Sequence, residues 1–568
     1  MNKRKQIKRQ NITQLLITLF TVLLINYIAS FYFFRLDLTS EKRYTLTNHT
    51  KELLSNIDDI IYVQIYIEGE LPSGFVRLQN SVKEMLDEFR VYAGDNIQYE
   101  FINPSESSDK KTRNEIYSQL YKKGIMPTNL KEKDDEGKMS EKIIFPGAVV
   151  TYHSKEAPIN LLKNNLSLSA EENLNNSIQE LEYSFIGAVH QLSNKMKKQI
   201  AIIEGHSEWS DMQMADITDA LFEFYSLKRI TIKSQINALD GYDAIIIAGP
   251  DSTFDEKDKF IIDQFIMKGG KSFWFYDAVK TNMDSLAFAS TTLALVNSIN
   301  IEDMLFNYGA RVNPNIIMDL QCSMIPINTA IVGTPPKFTP APWYYFPLIN
   351  PSDKHVITKN LNLIKTEFVS TVDSVGEDPD IKKTFLLHSS KYSKAVNAPA
   401  RISLDILKSE PDPSIFNKPN LPTAILLEGK FTSLYKNRVP TQIASSKAIG
   451  FKEKSNPTKM IVVADADIIR NAVKYEGNQP IPFPLGYDRY TGQTYGNKEF
   501  LLNAFNYLLD DSGLLSIRSR EVTLRLLDRA KIIEERVFWQ TLNLILPIIF
   551  VLIFGIILNY LRKRKFAN

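Results

Sequence analysis

One stretch limits every other reading of this sequence: Val537 to Leu561, VFWQTLNLILPIIFVLIFGIILNYL, 25 residues without a charge. At about 1.5 Å rise per residue, such a run crosses a hydrocarbon core of roughly 30 Å. Arg562, Lys563, Arg564 and Lys565 follow at once. A basic cluster directly behind a span marks that end as cytoplasmic. Residues 537–561 are therefore expected to form a membrane helix, with a basic tail, 562–568, inside the cell.

The start of the chain has a similar plan. Lys3, Arg4, Lys5, Lys8 and Arg9 precede Asn11 to Phe34, an uncharged run that ends in Phe31, Tyr32, Phe33 and Phe34. A cleaved signal peptide is the competing reading. The run is long for a signal peptide's apolar core, and its aromatic end fits an interfacial belt rather than a cleavage site. Residues 1–34 are thus expected to hold a basic tip and a retained first span. With both termini cytoplasmic, residues 35 to about 536 lie on the far side, periplasmic in a bacterial inner membrane.

Charge and cysteine content bound what that body does. Net charge is +2, but the two tips hold nine bases and no acid. The rest carries 58 bases against 65 acids, a mildly acidic body without a nucleic-acid footprint. Cys322 is the only cysteine, so no internal disulfide forms and ordinary apolar cores are expected. About 500 exported residues suggest two or three domains.

The first, residues 35–165, reads as a small α/β domain. Thr47 starts a short helix, Ile60–Ile67 and Ile97–Ile102 read as strands, and Phe75–Ala93 and Asp109–Lys123 have helical spacing. Lys131–Lys142 reads as a solvated hairpin tip, and Ile143–Tyr152 and Pro158–Leu162 as strands. Lys163–Leu168 is a linker.

Residues 166–512 are expected to form a doubly wound α/β domain. Ser169-Ala170-Glu171-Glu172 has capping-box spacing, opening one amphipathic helix through Val189. Gln199–Glu204, Tyr242–Ala248 and Ser272–Tyr276 are short apolar runs separated by helical patterns at Asp211–Tyr225 and Asp255–Lys268, which predicts a parallel sheet covered on both faces. Residues 310–450, proline-rich and poor in periodicity, read as a loop-rich, partly β insertion. Thr423–Glu428 and Met460–Ala464 return to strand character, and Asn497 is expected to cap a helix from Lys498 to Leu509.

Residues 513–536 read as a charged amphipathic stalk. Val522, Leu526, Ala530, Ile533 and Val537 form one helical stripe, set against near-balanced charge on the other faces. Asn543, Asn559 and Gly555 in the last span, and Asn26 in the first, would let another helix approach or bond across. Leu526, Ala530, Ile533, Asn543 and Gly555 are the candidate partner contacts.

Catalytic motifs are mostly missing. Gly269-Gly270-Lys271-Ser272 imitates the end of a P-loop, but Phe265 stands where the first glycine belongs and the order is helix to strand. There is no G-x-S-x-G elbow and no H-E-x-x-H. His206 and Glu208 have H-x-E spacing without the P-C-x-x-C that a zinc deaminase needs. The best small-ligand candidates are His206, Ser207 and Glu208, at the carboxyl end of a strand where α/β sheets bind ligands. Asp277, Asp465 and Asp467 follow other strands and could face the same rim. The competing reading is that all of these cap helices and tie loops. No catalytic residue, metal site or cofactor is predicted.

The segment Asp37-Leu38-Thr39-Ser40-Glu41-Lys42-Arg43-Tyr44-Thr45-Leu46 resembles the start of the exported part of ABC-transporter auxiliary proteins. So do Gly205-His206-Ser207-Glu208, the strand at Tyr242-Asp243-Ala244, and Lys268-Gly269-Gly270. The two-anchor layout is similar to the gliding-motility-associated GldG family of the Bacteroidota. The resemblance implies a multi-span permease partner and, through it, a cytoplasmic ATPase, with a link to gliding motility and protein secretion. It also implies a central domain related in fold to class I glutamine amidotransferases. Those enzymes use a Cys nucleophile; Cys322 lies beyond the βα core, which counts against amidotransfer. The leading expectation is a non-enzymatic accessory subunit. The alternatives are a periplasmic ligand-binding receptor using the His206/Glu208 rim, and a degenerate hydrolase at that rim.

Overall fold

The computed structural model describes residues 2–29, 45–133, 139–163, 165, 168–193, 197–281, 283–330, 334–408, 410–446, 449–477, 479–510 and 529–566. The chain divides into two units: residues 46–520, and the two ends, 1–45 with 521–568.

In the terminal unit, helix α1 spans Asn2–Ala29, with an apolar stretch at Ile12–Tyr27. That stretch is shorter than the expected span, whose aromatic end, Phe31 to Phe34, lies outside the described residues. The last helix spans Arg529–Phe566 and contains Pro547. Its segment Glu534–Arg564 is long and apolar enough to cross a membrane. The first half of the expected stalk, with Val522 and Leu526, lies outside the described residues.

The body begins with α2 (Asn48–Ser55), capped by Thr47, whose Oγ1 accepts from Thr50 N at 3.3 Å. Strands β1 (Ile61–Ile65) and β2 (Ile97–Phe101) pair in parallel around α3 (Ser73–Ala93), as their alternating apolar residues predict. After α4 (Lys110–Lys122), β3 (Thr128–Lys133) and β4 (Met139–Ile144) make the expected hairpin. The predicted single strand from Ile143 to Tyr152 is broken: Phe145-Pro146 separate β4 from β5 (Gly147–Tyr152), because proline cannot donate to the ladder. With β6 (Lys155–Asn160), the sheet order is β2-β1-β5-β6.

The capping box at Ser169 is present: Glu172 Oε2 accepts from Ser169 N at 2.8 Å and Ser169 Oγ from Glu172 N at 3.3 Å. The helix it opens is two helices, not one. α5 (Ala170–Gln179) stops at Glu180, and α6 (Leu181–Ser193) turns to bury Leu181, Phe185, Ile186 and Val189 in the first core, with Phe185 edge-on to Phe89. These two helices therefore pack on the first sheet rather than opening the second, although they follow the predicted linker.

The large sheet starts at β7 (Gln199–Glu204), followed by α7 (Ala215–Phe222), β8 (Ser226–Thr231), β9 (Ala244–Ala248), α8 (Glu256–Met267) and β10 (Lys271–Phe275). β8 was not foreseen: SLKRIT has a charged, half-exposed edge-strand pattern without an apolar run. After α9 (Glu302–Tyr308) come β11 (Cys322–Asn328), β12 (Phe338–Pro351), β13 (Ile381–His388), β14 (Pro422–Gly429) and β15 (Thr458–Val463). The order is β11-β12-β13-β14-β15-β10-β9-β7-β8, with Ile364–Lys365 paired to β12. The run β15-β10-β9-β7-β8 is parallel, and β14 onward is antiparallel.

Part of the stretch 310–450 thus extends the same sheet, while Ala310–Val312 with Val372–Ser374, Asn315–Asp319 with Ser393–Asn397, and Ala400–Ser403 pair in small separate sheets; it is richer in strands than its prolines suggested. Trp343 is fully buried within the 14-residue β12, and Tyr344, Tyr345 and Phe346 are nearly so. Helices α7 and α10 (Asn497–Leu509) cover one face of the parallel part; α8 and α9 cover the other. Successive apolar residues of one strand feed opposite cores: Ile200 and Ile202 one, Ala201 and Ile203 the other. Asn497 does not cap α10. It lies inside the helix, where its amide accepts from Lys365 N at 2.9 Å and donates to Lys365 O at 2.8 Å, clamping the Ile364–Lys365 strand.

Candidate functional site

From β7 the chain moves outward to β8, then returns to the other side of β7 as β9. The carboxyl ends of β7 and β9 therefore flank a topological switch point, the usual ligand crevice of an open α/β sheet. Here the chain's own side chains fill it. Trp209 N donates to Ala248 O at 3.0 Å, and the Trp209 indole donates to Ala466 O at 3.0 Å, tying the loops after β7, β9 and β15. Sequence reasoning passed over Trp209. Its signal was a large side chain one residue past the Gly205–Glu208 turn.

His206 and Glu208 are brought together but turned inward. His206 Nδ1 lies 3.1 Å from Glu208 Oε1, and His206 N donates to Glu208 Oε2 at 2.7 Å. On its other side, Nε2 lies 3.5 Å from Asp258 Oδ2, and the ring stacks on Phe254 at 3.6 Å. Both side chains are buried. Ser207 has φ of 63° and pairs its Oγ with Ser252 Oγ at 2.8 Å.

Asp277 and Asp465 meet a short distance away along the strand ends. Asp277 Oδ1 accepts from Ala466 N at 2.7 Å. Asp465 accepts from Glu367 N at 2.9 Å and Asp467 N at 2.6 Å. Burial pushes Asp277 up to about 6 and Asp465 well above the usual carboxylate range, and the neighbouring Asp467 raises Asp465 further. Asp467 is also raised by burial, against the pull of Arg470. Glu367 is the exception: burial raises it, but Lys365 and Arg470 together outweigh that and hold it low.

In front of these acids is an open cleft of 440 Å³, lined by Lys365, Glu367, Asp467, Arg470, Asn471 and Tyr475 among others. Lys365 Nζ lies 3.1 Å from Glu367, and Arg470 Nη2 lies 3.3 Å from Glu367 and 2.6 Å from Asp467. The Arg470 guanidinium lies 4.6 Å from the Trp209 ring centre, a cation–π contact. Lys365, Glu367 and Arg470 gave no sequence signal, because the cleft joins segments far apart in the chain. Among the described residues, no group of three or more His, Cys, Asp or Glu could hold a metal ion.

Of the candidate partner contacts, Leu526 lies outside the described residues. Ala530 and Ile533 fall in the helix Arg529–Phe566, and their side chains are outside the described set. Asn543 and Gly555 are exposed on that helix. Asn26, on α1, donates to Val22 O of its own helix at 3.0 Å.

A long apolar C-terminal helix beside a large mixed α/β body fits a membrane-associated protein. Residues 197–504 match the family described as an ABC-type uncharacterized transport system, and the chain belongs to that family. It is an auxiliary component of such a system. Residues 40–151 match a domain of unknown function (DUF7088). An uncharacterized protein of Borreliella burgdorferi is 23% identical, over 98% of this chain and 99% of that one. Among solved structures, the mmIFT52 N-terminal domain is similar at 12% identity and a TM-score of 0.31, over 55% of this chain and 98% of that one. A putative GMP synthase protein from Thermoplasma acidophilum is similar at 10% identity and a TM-score of 0.19, over 34% of this chain and 75% of that one. Scores this low carry no conclusion about fold.

Proposed function

We propose that this chain is a non-enzymatic, membrane-anchored accessory subunit of an ABC-type transporter complex. Its body is exported to the periplasm and both termini are cytoplasmic. The family match over 197–504, in a chain that also carries the apolar helix Glu534–Arg564, supports this reading most directly. The partners are a multi-span permease and, through it, a cytoplasmic ATPase, reached through the last helix and the stripe that precedes it. The likeness of the exported start and the two-anchor layout to the GldG family extends the proposal to gliding motility and protein secretion. The absence of a nucleophile motif in the sequence and the inward pairing of His206 with Glu208 support a role through contacts rather than covalent chemistry.

The test is purification from native membranes followed by protein identification. A permease and an ATPase should accompany the intact chain in fixed proportion. Recovery without either would overturn the proposal.

A further inference from the structure

Because Trp209 fills the switch-point crevice, the open cavity lies beside it, beyond the end of β15. Its 440 Å³ falls in the range of small-ligand sites, roughly 300–1,000 Å³. Its floor carries both charge signs, and internal pairing leaves part of each unspent. Arg470 Nη2 lies 3.3 Å from Glu367 and 2.6 Å from Asp467, and Nη1 makes no hydrogen bond among the described residues. Lys365 Nζ has three hydrogens and, among the described residues, bonds only Glu367. The Asp467 carboxyl, pushed up to about 8 by burial, meets Arg470 Nη2 and no other donor among the described residues; an ammonium beside it would favour its ionised form.

A simple anion entering this cleft would face Glu367, which Lys365 and Arg470 hold ionised. A simple cation would face Lys365 and Arg470. A molecule with both charges satisfies both sets. We propose that the cleft binds a small zwitterion of the α-amino-acid kind. Its carboxylate takes hydrogen bonds from Nη1 of Arg470 and from the unspent hydrogens of Lys365 Nζ. Its ammonium lies against Asp467 and Glu367. Trp209 holds the Arg470 plane in place at 4.6 Å, so little ordering is left to the ligand. Tyr475, largely exposed, and Tyr487 stand at the walls, where a ligand side chain would rest. This goes beyond the accessory-subunit reading and does not depend on it.

Saturation-transfer NMR on the purified full-length protein tests the inference, with each free α-amino acid offered separately and with n-butylamine and acetate as single-charge controls. At least one amino acid should bind and neither control should. Arg470→Gln should weaken that binding at least about tenfold, as loss of a charged hydrogen-bond pair does. Ala472→Trp, an exposed cleft position that leaves every ion pair intact, should fill the space and abolish binding with an unchanged melting temperature. The proposal fails if no amino acid binds, if a single-charge control binds as well as the best amino acid, or if folded Ala472→Trp binds like the wild type.

Discussion

The indole of Trp209 occupies the space that a β-carbon on Gly249 would need: such an atom would sit 2.4 Å from Trp209 Nε1 and 2.5 Å from Cε2. Gly249 also has φ of +64°, which glycine adopts freely. Gly249→Ala therefore adds backbone strain and a clash with a ring that cannot retreat without losing its bond to Ala466 O. The expected cost is about 2 kcal/mol or more, read as a lower urea midpoint. A midpoint within error of the wild type would mean that the ring moves aside freely.

Asp277 makes stability depend on pH in a direction opposite to ordinary acid denaturation. Burial raises its folded pKa to about 6 from an ordinary 3.8. The folded state then binds this proton more tightly than the unfolded state, so this contribution to stability falls as pH rises from about 4 to about 6. Asp277→Asn keeps an oxygen to accept from Ala466 N. It should be more stable than the wild type above pH 6, by on the order of 1 kcal/mol, with the gain vanishing below about pH 4. Urea unfolding at a series of pH values decides it; a constant offset would exclude titration of this group.

Asn497 clamps Lys365 through both its backbone N and O. Asn497→Ala leaves those two groups without their amide partner, at a cost of roughly 1–3 kcal/mol. Because Lys365 lines the cleft, its exchange-protected backbone amide should become labile. Hydrogen exchange at that amide measures this, and unchanged protection would assign the strand's order to something else.

The parallel strands were legible because burial on both faces demands apolar runs: Ala244–Ala248 is wholly buried and reads as AIIIA. β12 was not, because its prolines at 340, 342, 347 and 351 disguise a strand; Pro340 and Pro342 lie in the run paired to β11 alone, where a missing N–H can fall on the unpaired side. Asn497 misled because an asparagine ahead of an apolar helix usually caps it, and only the tertiary fold supplies Lys365 as a competing partner. Asp277 and Asp465 were found from the strand-end rule. Lys365, Glu367 and Arg470 were invisible to it, since their meeting depends on how the antiparallel extension folds back.

Topology is tested with cysteines in a Cys322→Ser background, at Arg4 and at Asp135. In cells with a permeabilised outer membrane, position 135 should react with an impermeant maleimide and position 4 should not. The reverse pattern would invert the proposed orientation.

The stripe before the last span is tested by Leu526→Glu with Ile533→Glu. Each change places a charge on the proposed apolar contact, costly when unpaired, and the pair should release the proposed permease partner while the body keeps its melting temperature. Continued co-purification would move the docking surface elsewhere.

The Glu182 carboxylate, buried on α6, accepts from Thr47 N at 2.8 Å and Thr50 Oγ1 at 2.7 Å. The backbone arriving from the amino-terminal side is thus fastened to the first core within two residues of entering the body. At the opposite end, Leu508 and Leu509 are packed in the second core, and Leu509 O accepts from Lys198 Nζ at 2.5 Å. The two tethers are therefore sewn to different cores. Tension between them cannot bypass the body; it must cross the polar seam where Asn165 donates to Leu361 O and Gln191 to Glu223. A pull on the ends is therefore expected to load that seam as shear between the two halves.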